Sequence, residues 1–219
     1  KSLSQGRIVL NRFLHHRGAM VSMIVFLFVV IVAYTSIGFG PIPGWWPHSY
    51  KQPMPVVNGG APTIGLFHLG EHPFGQDNVG KDYFALAMRG TQISIMIALV
   101  VGLVSTLIGT LVGALAGYFR GWVESLLMRI TDMFIVIPLL ILAAIIGQMT
   151  GSMGPLFLAL MLGLLSWTGL ARMVRGEVMS LREREFVAAA DALGASSWRI
   201  IVRHILPNCL GTIIVNATL

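Results

Sequence analysis

Charge is scarce in this sequence: Asp, Glu, Lys and Arg make up 11% of its 219 residues, against 55% hydrophobic. A water-soluble domain carries about 25% charged residues, so a soluble globular fold is excluded and the bilayer itself must cover most of the apolar surface. There is one cysteine, Cys209, which excludes an internal disulfide and a cysteine-built metal or cluster site. Acidic residues number 9 against 15 Lys and Arg. The basic residues are divided among short loops rather than gathered in a patch, so the net charge of +6 is no nucleic-acid signature.

The long apolar runs also lack Asp, Glu, Lys, Arg and His altogether. Transporters coupled to protons or ions place ionisable residues inside their spans, so secondary transport is disfavoured. No Ser–His pair or metal-ligand set lies in them either, which argues against an intramembrane enzyme. The sequence begins at Lys1 without a methionine and stops at Leu219, as expected of a piece of a longer polypeptide.

The runs themselves set the spans. Ala19 to Phe39 and Thr91 to Phe119 each exceed the roughly 20 residues that cross the hydrocarbon. The uncharged stretch from Met133 to Ala171 is too long for one span and breaks at Gly151-Ser-Met-Gly-Pro155. That predicts two short spans, Met133 to Thr150 and Pro155 to Ala171. A fifth begins at Asn208. The expected fold class is all-α: a polytopic helix bundle with four spans and the start of a fifth.

Orientation follows from the basic residues. With the tail of residues 1–18 in the cytoplasm, twelve Lys and Arg fall inside and only Lys51, Lys81 and Arg89 fall outside. The loop of residues 40–90 is then external, with Trp45 and Trp46 in an aromatic belt, and residues 172–206 are cytoplasmic. The transmembrane domain runs over 19–219. The first stretch is too long for a cleaved leader and lacks a small-residue cleavage pattern.

The 40–90 loop holds seven of the ten prolines and reads as irregular. Its Gly75-Gln-Asp-Asn-Val-Gly80-Lys81-Asp82 mimics a phosphate-binding loop, but Asp82 stands where Mg²⁺ needs Ser or Thr, and no buried strand precedes it. His68 and His72 have the i, i+4 spacing of a helical metal pair, yet Gly70 and Pro73 argue against a helix, and a surface role is expected. Lys81 to Arg89 should begin an interfacial helix leading into the second span.

Within the membrane, Ser105, Gly109, Gly113, Gly117 and Gly121 recur every fourth residue, a small-residue stripe that lets another helix approach closely. That helix belongs to this subunit or to a partner. Pro138 should kink the third span. Asp132 sits at a membrane boundary, where solvation is expected. Gln148, Ser166, Thr168 and Asn216 are among the few polar groups at membrane depth, candidates for a pathway although packing is the commoner use of such residues.

The segment 176–206 reads as a helical hairpin between apolar stretches. Phe186, Ala190 and Leu193 fall on one helical face, and the alanines around them keep that helix slim. Gly194 suits a C-cap or sharp turn, and Ser196 or Ser197 an N-cap. Trp198, Ile201, Val202 and Ile205 form the next apolar stripe, with Arg199 and Arg203 opposite. Pro207 should end that helix before the fifth span. By itself the pattern also fits an amphipathic hairpin lying in the membrane interface.

Ala189-Ala190, Gly194 and Ile205-Leu206-Pro207 resemble the "EAA" loop of ABC importer permeases. Glu183-Arg-Glu-Phe-Val, Ala192-Leu-Gly-Ala-Ser and Arg203-His-Ile-Leu-Pro-Asn208 are similar to the peptide and nickel branch. So are His72-Pro-Phe-Gly75, Asp77, Gly80 and Asp82, Gly117-Tyr-Phe119 with Gly121-Trp122, and Ala171-Arg172 with Val174-Arg-Gly-Glu177. The likeness covers residues 12 to 219, most closely the second permease subunit of oligopeptide and dipeptide importers.

That resemblance implies a six-span subunit of the cytoplasmic membrane paired with a sister permease. Two ATPase subunits would bind below and an extracytoplasmic binding protein above. This chain would be no enzyme and hold no cofactor or metal; ATP and Mg²⁺ would belong to the partners. The hairpin would be the coupling helix, its contacts drawn from Glu185, Ala188, Ala189, Asp191, Gly194, Ala195, Ser196, Arg199 and Arg203. The family's motif glutamate falls on Ala188 here, so the contact passes to Glu185 one turn earlier or to the sister subunit. Peptide import is the function implied. Import of nickel or another small solute is the alternative within the class, and an ATP-independent channel or secondary transporter the rival outside it. A scaffold without a transport role is a third reading.

Overall fold

The computed structural model describes residues 13–65, 70–149 and 153–217. His68 and Thr150 lie outside them. The fold is a helical membrane bundle, with four helices among the described residues long and apolar enough to cross a membrane and a fifth crossing if one bent pair counts as a span. The chain divides into two compact units, Lys1–Ile95 and Met96–Leu219.

In the first unit, α1 (Arg17–Ser36) begins where the His16 ring nitrogen Nδ1 accepts from the Ala19 amide. It ends in a two-residue hairpin, β1 (Gly38–Phe39) and β2 (Ile42–Pro43). The chain then turns back, and the amides of Trp45 and Trp46 donate to the carbonyls of Thr35 and Ser36. Gln92 fastens the same corner: its amide donates to the carbonyls of Ala33 and Gly38 while its oxygen accepts from Arg89.

The loop that follows is irregular but tightly bonded. The buried Gln76 accepts from the Val57 amide and donates to the carbonyls of Pro55 and Gly80. Asp77 Oδ1 accepts from the amides of Val79 and Lys81. The Lys81 amide above all holds the Asp77 carboxyl below its ordinary value. The stretch that mimics a phosphate loop is therefore a turn closed by its own acids. Asp82 is fully buried and caps α2 (Tyr83–Phe119), its Oδ1 accepting from the Ala85 amide. His72 is buried too, at 1% exposure, and not on the surface as its neighbours Gly70 and Pro73 suggested. The loop folds over the imidazole because Asp82 offers it a partner.

In the second unit, α2 ends at Phe119. Arg120 and Gly121 both take positive φ, and α3 (Gly121–Val136) starts at once. Gly121 therefore leaves the small-residue stripe, and no atom lies within 4 Å of the Cβ it lacks. Ile137, forced extended by the proline after it, separates α3 from α4 (Leu139–Met149), and the two helices meet at 73°. The expected span of residues 133–150 is thus cut by a sharp bend near its start. The next span also differs: α5 (Gly154–Leu165) and α6 (Thr168–Arg182) form one run of 29 residues, Gly154–Arg182.

After α6 come α7 (Glu185–Ala192), the short α8 (Ser197–Ile200), a π-helical turn (Ile201–Ile205) and α9 (Leu206–Ala217). Pro207 does not end a helix, contrary to expectation. Ser197–Ala217 runs as 21 continuous residues. The π turn precedes the proline, and the Leu206 amide reaches five residues back to the Ile201 carbonyl. A widened turn is one way a helix absorbs the missing proline N–H.

Candidate functional site

The α7–α8 hairpin is fixed to the unit by one face and open on the other. Its buried residues are Val187 and Ala190 from α7 and Ile200, Ile201 and Ile205 beyond the turn, packed with Val174 and Val178 of α6 and with Cys209 and Ile213 of α9. Ala190, Ile201 and Ile205 of the expected apolar stripe are buried, and the rest of it is displaced. Leu193 is 88% exposed and Trp198 61%, while Phe186 and Val202 also face outward. In an eight-residue helix rich in alanine, several faces are apolar enough to turn inward; the shape of α6 selects the face bearing Val187 and Ala190.

The turn between the two helices is made by Gly194 at φ +77°. The amides of Gly194 and Ala195 donate to the carbonyls of Asp191 and Ala190, a left-handed C-cap that satisfies the end of α7. Ser196 stands at the N-cap of α8 in extended conformation without a side-chain capping bond. Ala195 packs partly against the core. Glu185, Ala188, Ala189, Asp191, Gly194, Ser196, Arg199 and Arg203 are exposed. Ala188 and Asp191 also line a cavity of about 400 Å³ with Tyr118, Phe119, Arg182, Val187 and Ser197. The Arg182 guanidinium lies over the Tyr118 ring, 5.4 Å from its centre.

Behind the hairpin, α6 is tied down twice over. The glycines of α2 meet its backbone. A Cβ at Gly109 would come within 2.9 Å of the Trp167 carbonyl, at Gly113 within 2.5 Å of that of Ala171, and at Gly117 within 2.7 Å of that of Arg175. Three ion pairs add to this: Arg175 with Glu124, Arg172 with Asp132, and Arg120 with Glu183 at 2.7 Å. Arg120 lowers the Glu183 carboxyl below its ordinary value by hydrogen bonding and charge. Asp132 is exposed, as expected, with its side chain 59% accessible, and is also bonded to Arg172. The sequence reading missed these pairs. The available signal was acids on α3, Glu124 and Asp132, against the basic Arg172 and Arg175 of α6.

Residues 109–219 match the family model described as the inner membrane component of binding-protein-dependent transport systems. The chain belongs to that permease family. Residues 4–58 match the N-terminal transmembrane domain of oligopeptide transport permease C. The permease is 38% identical to the oligopeptide transport system permease protein OppC of Mycobacterium tuberculosis over 217 residues, 99% of this chain and 70% of that protein. It is 33% identical to a putative peptide permease protein of Brucella ovis (95% of this chain, 65% of the other). It is 30% identical to OppC of Bacillus subtilis (100% and 68%). The matched region contains the whole hairpin and all three glycines that meet α6.

The polar candidates for a pathway sit in separate settings. Gln148 is exposed near the end of α4. Ser166 donates to the Leu162 carbonyl and, with Thr168, lines a cavity of about 360 Å³ beside Phe134, Ile137 and Pro138. Asn216 contacts Met173 Sδ and the Thr212 carbonyl.

Proposed function

We propose that this permease imports peptides across the cytoplasmic membrane at the expense of ATP hydrolysed by partner subunits. The hairpin of residues 176–206 would be its coupling element. The observation that carries the reading is the two-sided hairpin. An exposed, slim, alanine-lined face is joined through Val187, Ala190, Ile200 and Ile201 to α6, and α6 is held against α2 by close backbone contact and to α3 by ion pairs. A push on the exposed face is delivered to the spans, because packed interiors transmit displacement with little give.

In this reading two ATPase subunits dock on that face, with Glu185, Asp191, Arg199 and Arg203 as the charged contacts and Ala188 and Ala189 admitting the partner's backbone. A sister permease completes the pathway, and an extracytoplasmic binding protein delivers cargo at the 40–90 loop. The N-terminus and hairpin face the cytoplasm, in keeping with the distribution of basic residues. Peptide as cargo rests on the names of the relatives. The chain contributes no catalytic residue; ATP and Mg²⁺ sit on the partners.

The test is uptake of radiolabelled peptide into proteoliposomes holding the full-length subunit with its sister permease, ATPases and binding protein. Uptake that needs both ATP and the binding protein is expected. A folded complex that carries peptide without ATP, or carries only nickel chelates with it, overturns the peptide-import reading.

A further inference from the structure

Independently of the transport reading, the 40–90 loop contains a cluster that the transport reading does not use. His48, His72 and Asp82 each offer one ligand atom, and these atoms lie within 4.8 Å of one another. Asp82 is completely buried, and among the described residues its one ion-pair partner is His72, with Nδ1 2.9 Å from Oδ2. Trp46 Nε1 and the Ala85 amide donate to the other oxygen, Oδ1, which leaves Oδ2 directed at the imidazole. A buried carboxylate needs a compensating positive charge. The imidazole faces Oδ2 directly at hydrogen-bond distance, and a cation between the two groups would supply the charge.

The second histidine favours the cation. The His48 and His72 rings lie 4.2 Å apart between centres, tilted by 36° to each other. His48 Nε2–H donates to the Glu71 carbonyl at 2.6 Å, which leaves Nδ1 as the nitrogen an ion would use. Histidines that bind metals are held in this way, one nitrogen fixed by a carbonyl and the other presented to the ion. At zinc bond lengths of about 2.05 Å, two ligand atoms as far apart as His72 Nδ1 and Asp82 Oδ2 subtend about 90° at the metal. His48 is half-buried and offers a ligand atom within 4.8 Å of those of His72 and Asp82.

We propose that His48, His72 and Asp82 form a structural site for a borderline divalent cation, zinc by its ligand set. Two imidazoles and one carboxylate match zinc's preference for nitrogen and oxygen, and water would complete the shell. The ion would staple three stretches of loop to one another: that after Trp46, that before Phe74 and the start of α2. A cargo ion would have to leave with each cycle. A carboxylate fully buried under Trp46 is built to retain its ion.

The test uses the assembled complex with the full-length subunit, stripped by chelator and titrated with Zn²⁺ against a chromogenic chelator. The wild type is expected to bind one equivalent more than His48→Ala. Loss of a ligand should weaken that equivalent by more than about 100-fold, beyond the roughly 10–100-fold typical of changes in outer-shell partners. Cobalt in the same site should give a visible ligand-field spectrum that His48→Ala abolishes. The same equivalents and affinity in wild type and His48→Ala overturn the proposal and leave a hydrogen-bonded His72–Asp82 pair. Asp82→Asn should also lose the equivalent. If that variant does not assemble, His48→Ala still decides the matter, because every bond to Asp82 survives in it.

Discussion

Gly113 of α2 faces the carbonyl of Ala171 in α6 so closely that a Cβ would stand 2.5 Å from the oxygen. Backbone meets backbone there, and neither side can yield without moving a helix. Gly113→Ala should therefore force α2 and α6 apart, at a cost of about 1–3 kcal/mol typical of overpacking. Gly169→Ala is the control, since its Cβ meets nothing within 4 Å. Thermal unfolding of the purified complex should show a lower Tm for the first and none for the second. Equal melting would mean that the stripe is not a tight contact.

Gly194 raises a different issue, because space is open around it and only its φ of +77° matters. A residue with a side chain there costs about 1–2 kcal/mol, and Asn less than most. Gly194→Asp should disturb the turn and uncouple transport. Gly194→Asn should keep more of it, with both subunits present in the membrane at wild-type amounts. The readout is ATP-dependent peptide uptake alongside ATPase rate. Normal uptake by Gly194→Asp would sink the coupling role.

The Arg175–Glu124 pair is the most enclosed of the three ion pairs, with side chains 32% and 18% exposed. Removing one partner leaves a half-buried charge, so Glu124→Gln and Arg175→Met should each destabilise more than the pair is worth. A double-mutant cycle in denaturation should give a coupling energy of about 1 kcal/mol. Strict additivity would place the two groups in separate, solvated settings.

Asp77 predicts a pH dependence. Its carboxyl lies below the ordinary value of 3.8, chiefly because the Lys81 amide donates to it. A depressed folded pKa stabilises the loop above the unfolded value, and the gain fades as pH falls through the folded one. The Tm advantage of wild type over Asp77→Asn should be constant at neutral pH and shrink below about pH 4. An advantage that grows on acidification contradicts this.

Much was legible in the chain because bilayer physics is one-dimensional. Uncharged runs of sufficient length must be helices that satisfy their own backbone, so the runs from Ala19 and Thr91 read directly as spans, although the first helix stops at Ser36, short of Phe39. The motifs from Gly117 to Asn208 carried the family, since they depend on order along the chain. Pro138, which forbids a straight helix for local reasons, announced the bend that the structure places there at 73°.

Tertiary structure decided what depends on a neighbour. Nothing local marks Val187 rather than Leu193 as the buried residue of α7, because in so short a helix the choice belongs to α6. Pro207 reads as a stop, yet the wide turn before it lets the helix continue. His72 looked like a surface residue until Asp82, ten positions away, was folded over it. Arg172 and Arg175 counted in the sequence as basic charge near a membrane edge, and only packing paired them with Asp132 and Glu124. A span is set by the solvent around a segment, which composition reports. A contact is set by a second segment brought near by folding, which periodicity along one helix cannot report.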